Sequence, residues 1–306
     1  MFDGDTLLGV KDMELLWNIQ HYLRTPFLDV LFSWITRLGE ETILIVVFCL
    51  VFWCINKRTG YMVGISFFFS ALIVQGMKII FQVPRPWVTD PNILVLGAET
   101  AATGYAFPSG HTQNAAAWLG ALAISTKKTV LRYGFIILAL LVGFSRLYLG
   151  VHFLSDVLVS LVISGAVVVM VHKMLPSEFV SKKKELILPI IIASFATIVV
   201  AVIAYLYLTG STIAPQLRDA AIASGAAYGF AIGMYVERVY IQFSPKMNNV
   251  LLQAVKFVLG VVGAVALLEG LRFIGSGLIA TGARYFFVVI WILIIYPLII
   301  KKFFNK

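Results

Sequence analysis

Three short segments of this 306-residue chain gather residues suited to handling a phosphoryl group. In the first, Lys78 to Pro86, the prolines Pro84 and Pro86 end a helix and hold Arg85 in an extended turn. A planar guanidinium there can take two phosphate oxygens at once, while Lys78 adds a compact charge from the helix end. The second, Pro108-Ser109-Gly110-His111, reads as a helix start. Proline suits a first turn, Gly110 lets the backbone approach a ligand, and free N–H groups beside the Ser109 hydroxyl make an anion site next to His111. The same four residues also suit a helix cap with an incidental histidine. The third, Ser145 to Asp156, sets His152 and Asp156 four apart after Arg146. On one helix face the carboxylate holds one ring nitrogen and raises the basicity of the other, the arrangement a histidine nucleophile needs.

These residues resemble the three signature motifs of the type 2 phosphatidic acid phosphatase superfamily, KxxxxxxRP, PSGH and SRxxxxxHxxxD, in the family's order and with every specified position matched. The motif resemblance covers only about residues 78–156. Phosphate-ester hydrolysis is very slow without a catalyst, so a site must supply a nucleophile, a proton for the leaving oxygen and dense positive charge. The residue chemistry makes His152 the nucleophile, Asp156 its orienter and His111 the general acid. Lys78, Arg85, Ser109, Gly110 and Arg146 become the phosphoryl binders, and no metal or other cofactor is expected. The resemblance implies a phosphohistidine intermediate at the same positions. Vanadium haloperoxidases and soluble acid phosphatases share these motifs, so the motifs alone do not select a substrate.

The elements that must hold these segments follow from composition: 60% hydrophobic, 13% charged, mean hydropathy +0.94. Soluble chains carry about 25% charged residues, so the expected fold class is an all-α polytopic membrane helix bundle. Nine apolar stretches are long enough to cross: about 41–56, 60–81, 109–126, 130–148, 153–172, 186–209, 217–236, 250–273 and 284–300. That number is similar to the glucose-6-phosphatase and sphingosine-1-phosphate phosphatase branches of the family. One alternating set of connections is the richer in Lys and Arg, including Lys57, Arg58, Lys127, Lys128, Arg132 and Lys182 to Lys184, with Lys301 and Lys302 in the tail. The positive-inside bias then places the N-terminus outside, the C-terminus in the cytoplasm and the three motifs at the outer face. Residues 1–40 read as interfacial amphipathic helices broken at Pro26, 41–176 as the phosphatase core and 177–306 as an additional four-span unit.

Embedding favours lipid phosphate monoesters or diphosphates over soluble esters, because a lipid's phosphate lies at headgroup level while its tails stay in the bilayer. The expected partners are that substrate and the membrane lipids. Nucleic acid is not expected, since the net charge of +9 comes with no basic groove or stacking platform. Gly225, Gly229 and Gly233 form a small-residue seam that is intramolecular in most helix pairs and could also join two copies. Cys49 and Cys54 read as packing residues, Glu269 and Arg272 as a local ion pair, and Lys256 as a snorkelling or passage-lining residue. The acidic N-terminal stretch argues against a cleaved signal, and short basic loops favour a bacterial inner membrane. Competing readings are an undecaprenyl diphosphate phosphatase within the class, a lipid transporter or scramblase that keeps the phosphate site, and a haloperoxidase.

Overall fold

The computed structural model describes residues 7–96, 104–175 and 180–304. All regular elements among the described residues are helical, as expected where apolar runs must satisfy their own backbone groups in lipid. By length and apolarity six helices can cross a membrane, or seven if the bent pair Pro26–Gly39 with Glu41–Ile55 counts as one span. The sequence led to nine; besides the bent pair, the difference lies in two helices. The helix at 110–125 has 16 residues, short of the roughly 20 a span needs. The helix at 214–236 carries Gln216, Arg218 and Asp219 among many Gly and Ala, which lowers its apolarity.

The chain divides into two compact units, Met1–Leu44 with Ile73–Met170, and Ile45–Leu72 with Val171–Lys306. Residues 45–72, read from the sequence as part of the phosphatase core, therefore group with the later helices. Aromatic packing accounts for this: Phe68 and Phe48 lie 4.7 and 6.2 Å from the Phe230 ring, and Phe52 lies 5.3 Å from Phe243.

In the first unit, α1 (Leu7–Tyr22) and α2 (Pro26–Ile35) are separated where Pro26 was expected to break them. Thr25 caps α2 by accepting from the Leu28 N–H at 3.2 Å. A 3-10 turn, Thr36–Gly39, leads to α3 (Glu41–Leu50), and α4 (Lys57–Phe81) ends within this unit. A short α5 (Pro86–Thr89), α6 (Gly110–Ser125), α7 (Thr129–Tyr148) and α8 (Leu154–Met174) complete it. Leu16, Ile19 and Phe32 of α1 and α2 are buried in one cluster with Leu147, Tyr148, Leu149, Val151 and Val157. Their opposite face leaves Tyr22, Phe27 and Trp34 exposed, an aromatic surface suited to a membrane interface.

The second unit contains α9 (Lys182–Glu185), α10 (Ile187–Leu208), α11 (Ala214–Val236), α12 (Val250–Gly270), α13 (Leu278–Ile290) and α14 (Tyr296–Phe303). The glycine seam of α11 is filled from within the chain. A Cβ on Gly225 would sit 2.1 Å from the Gly282 carbonyl oxygen, one on Gly229 2.7 Å from that of Phe286, and one on Gly233 2.6 Å from the Leu293 side chain. α13 and its continuation thus occupy the seam, the intramolecular use of Gly225, Gly229 and Gly233.

The two buried carboxylates Glu185 and Glu237 of this unit are paired, as their desolvation demands. Glu237 meets Lys57 and Tyr61, and Glu185 receives Arg238, with one contact at 2.8 Å. Lys256 departs from the snorkelling expectation: it is fully buried and donates to the Pro245 carbonyl at 2.7 Å. Glu269 and Arg272 form the expected local ion pair at 2.7 Å, and both cysteines are buried and free.

Candidate active site

Local rules place the first motif. α4 ends at Phe81, and Gln82 takes a left-handed conformation (φ 51°) as its N–H bonds back to the Lys78 carbonyl. The chain then runs extended through Arg85 (φ −75°, ψ 156°), as the flanking prolines dictate. The Ala106 N–H donates to the Val83 carbonyl at 2.8 Å, and Val83, Ala106 and Phe107 bury together, which fixes the segment beside the second motif. Lys78 donates to the Tyr105 carbonyl at 2.6 Å and Arg85 Nε to the Gly104 carbonyl at 3.1 Å. Of the segment between the first two motifs, residues 97–103 lie outside the described residues.

Ser109 caps α6 through its hydroxyl, which accepts from the Thr112 N–H at 3.4 Å and also from the Thr112 hydroxyl at 2.9 Å, so the capping reading of this motif is correct as far as it goes. The cap does not exhaust the motif. The Ser109 N–H donates to the Asp156 carbonyl at 3.1 Å, which ties the second motif to the third. A Cβ on Gly110 would meet only the Lys78 Cε, at 4.0 Å, so the helix start is open on the lysine side. His111 is half-buried, and its backbone packs against Gly39.

The third motif bends through Gly150, whose φ of +72° few L residues adopt. The turn closes with the Val151 N–H on the Arg146 carbonyl at 3.1 Å and brings His152 back toward Arg85. Here the structure corrects the sequence reading. α8 begins at Leu154, so His152 lies in the turn before it rather than on its face. Asp156, in the first turn of α8, reaches back as an N-terminal cap. One carboxylate oxygen accepts from the Phe153 N–H at 2.9 Å and meets His152 Nδ1 at 3.0 Å. The cap geometry, not helix periodicity, brings the pair together.

The tautomer of His152 follows from its two partners. Arg85 Nη1 lies 2.9 Å from Nε2, and arginine has no acceptor, so Nε2 must carry a lone pair and Nδ1 the proton that goes to Asp156. The basicity of the ring is also lowered rather than raised. Burial, then the Arg85, Arg146 and Lys78 charges, push the His152 pKa well below the usual imidazole range. Desolvation and three cations outweigh one carboxylate, so the ring is neutral with its lone pair intact.

Lys78, Arg85, Ser109, Arg146, His152 and Asp156 are all less than one-tenth exposed. Burial, then the Arg146, Arg85 and Lys78 charges, push the His111 pKa below the usual imidazole range as well. All eight residues singled out from the sequence thus converge in one unit. Arg146 is 1% exposed and forms no salt bridge among the described residues. Its Nη1 donates to the Thr36 hydroxyl at 2.6 Å, while Nε and Nη2 are buried without a hydrogen-bond partner among the described residues. An unpaired buried cation is costly unless an anion joins it, so this arrangement favours an anionic ligand. Thr36 has no signature in the sequence, since it lies 110 positions from Arg146.

The chain is similar to known proteins. Residues 59–179 match the PAP2 superfamily, and residues 221–305 match the PAP2 superfamily phosphatase transmembrane extension. A dihydrosphingosine 1-phosphate phosphatase of Schizosaccharomyces pombe is 30% identical over 161 residues, which cover 48% of this chain but only 38% of that protein. An undecaprenyl-diphosphatase of Sulfolobus acidocaldarius is 31% identical over 147 residues, 47% of this chain and 68% of its own length. Among solved structures, Aquifex aeolicus LpxE superimposes with a TM-score of 0.50 at 26% identity, over 56% of this chain and 99% of that one. With the three motifs converged around one oriented histidine and the matches running through the helices that carry them, the chain belongs to the PAP2 superfamily.

Proposed function

We propose that this protein is an integral membrane phosphatase that hydrolyses lipid phosphate monoesters or diphosphates at the outer membrane face through a phosphohistidine intermediate. The observation that carries the reading is His152. Its neutral ring is held by Asp156 at Nδ1 and keeps a lone pair at Nε2 among three buried cations, one of which has two unpartnered nitrogens. Simple anion binding needs the cations but not an oriented nucleophile.

In the first step Nε2 attacks phosphorus in line with the ester oxygen. The P–N bond forms as the P–O bond breaks, and the leaving oxygen takes its proton from His111, which the negative charge of the bound substrate keeps protonated against burial and the three cations. Lys78, Arg85 and Arg146, with Ser109 and Gly110 at the start of α6, hold the three equatorial oxygens as charge develops on them. In the second step a water gives a proton to the now neutral His111 and attacks phosphorus. The P–N bond breaks, its electron pair returns to Nε2, and inorganic phosphate leaves. Asp156 holds the Nδ1 proton throughout and stabilises the positive ring of the intermediate. The cations supply the charge a metal ion would otherwise bring, so chelators are expected to leave turnover intact.

The lipid class is supported by the apolar helices carrying the site and by the names of the relatives, which cover a sphingoid phosphate and a polyprenyl diphosphate. The outer orientation is supported by Lys57 and Arg58 at the end of α4 away from the motifs, Lys127, Lys128 and Arg132 at that of α7, and Lys173 at that of α8, and a bacterial inner membrane is our preferred location. The test is phosphate release by detergent-purified protein in excess chelator. Its substrates are phosphatidate, phosphatidylglycerol phosphate, sphingosine-1-phosphate, undecaprenyl diphosphate and glucose-6-phosphate. Release from at least one lipid, abolished by His152→Ala, is expected, and the ranking picks the substrate. Equal activity in His152→Ala, or dependence on a divalent metal, overturns the mechanism. No release from any lipid overturns the phosphatase reading in favour of binding or transport.

A further inference from the structure

We infer that Thr36, in the turn after α2, is a positioning residue of the phosphate site: its hydroxyl orients Arg146 so that one whole edge of the guanidinium faces the phosphoryl oxygens. The inference rests on the phosphatase reading above and adds a part of the chain that neither family match includes, since those matches begin at residue 59.

The geometry is specific. Arg146 presents three nitrogens, and Thr36 Oγ1 accepts from Nη1 at 2.6 Å with both side chains buried. The two nitrogens left without partners, Nε and Nη2, are neighbours on one edge of the planar group. That edge carries two parallel N–H bonds, the fork that engages two oxygens of one phosphate. With Nη1 tied, the guanidinium cannot rotate about its stem to spend an edge elsewhere, and the neutral acceptor on Thr36 takes up none of its positive charge, on which Glu40 acts only from beyond salt-bridge distance. A carboxylate in that place would orient the group equally well and cancel its charge.

Thr36 is itself held by its surroundings. Asn114 of α6 donates to the Gly39 carbonyl at 2.9 Å, and Trp118 of α6 donates to that of Leu38 at 3.0 Å. Asp29 of α2 accepts from the Tyr148 hydroxyl at 2.6 Å, two residues beyond Arg146. The turn is thus fastened to the helix that carries His111 and to the helix that carries Arg146. The N-terminal segment, read from sequence as a covering pair of interfacial helices, thereby supplies a contact to the phosphate-binding side chain.

The test measures orthovanadate binding by calorimetry on the full-length protein in detergent, and kcat and KM for phosphatidate, in Thr36→Val, Thr36→Ser, Arg146→Ala and the Thr36→Val/Arg146→Ala double variant. Losing a hydrogen bond to a charged group predicts about 10- to 100-fold weaker orthovanadate binding in Thr36→Val. Thr36→Ser, which keeps the hydroxyl, should restore it. In the Arg146→Ala background Thr36→Val should cause no further loss, because its effect passes through that arginine. Wild-type orthovanadate affinity in Thr36→Val, alongside an impaired Arg146→Ala, overturns the inference and leaves the phosphatase reading standing. An additive loss in the double variant, or failure of serine to rescue, also overturns it by showing a merely structural role. Wild-type affinity in Arg146→Ala removes the phosphate-site reading itself, and the role of Thr36 with it.

Discussion

Gly150→Ala is the perturbation whose consequences the geometry specifies most closely. The residue sits two positions before His152 with φ at +72°, where an L side chain costs about 1–2 kcal/mol. Space is also lacking. The new Cβ would lie 2.7 Å from both Gln20 Nε2 and the Leu94 carbonyl oxygen, and 3.1 Å from Ile93 Cγ2. Gln20 cannot swing away freely, since it donates to that same carbonyl at 2.7 Å and accepts from the Leu94 N–H at 3.2 Å. Overpacking of this kind adds about 1–3 kcal/mol, so the total destabilisation should be about 2–5 kcal/mol. The strain is relieved by moving the turn, which moves His152. A misplacement of about 1 Å at a reacting atom costs about 100-fold, so kcat/KM should fall by about that factor in the protein that remains folded. Gly165→Ala in α8 is the matched control: nothing lies within 4 Å of its added Cβ, and it should change stability by no more than about 1 kcal/mol. Thermal unfolding in detergent and phosphate release, measured side by side, decide the matter. Wild-type Tm and turnover in Gly150→Ala would refute the claim that this turn sets the nucleophile.

Two further outcomes follow from the same structure. Nitrogen-15 histidine spectra at pH 6 should show one ring neutral with its proton on Nδ1, absent in His152→Gln, because burial and the surrounding cations hold its pKa below the ordinary value of about 6.5. A His152 that titrates at or above that value would contradict the lone-pair argument. Gly225→Ala should destabilise the protein by at least about 1–3 kcal/mol, since its Cβ would fall 2.1 Å from the Gly282 backbone oxygen. Gly282→Ala, 3.1 Å from the Ala221 oxygen, should cost less. Equal melting temperatures for the two variants and wild type would show that α11 and α13 do not pack through this seam.

What can be read along the chain is what near neighbours decide. Hydropathy alone implies a helical bundle, since lipid leaves the backbone of an apolar run few alternatives. Pro84 and Pro86 fix the conformation of Arg85, Ser109 caps the helix it begins, and the four-residue spacing of His152 and Asp156 brings them within reach. Each depends on dihedral preferences or contacts within a few residues. Arg85, Ser109, His152 and Asp156 could be placed for that reason, although the helix-face geometry assigned to the histidine pair was not the one adopted.

The rest depends on surfaces meeting across long separations, which residue types do not announce. The proton on His152 is placed by Arg85, 67 positions away, and the sign of its pKa shift by how many cations converge on a dry site. The partner of Arg146 is a threonine 110 positions earlier, in a segment whose composition suggested only a membrane-facing cover. Residues 45–72 join the later helices because of which aromatic rings they meet, and the glycine seam serves α13 because close approach needs a matching backbone that only the folded chain supplies. A side chain's chemistry is written at its own position, but its charge state and orientation belong to whatever packing brings beside it.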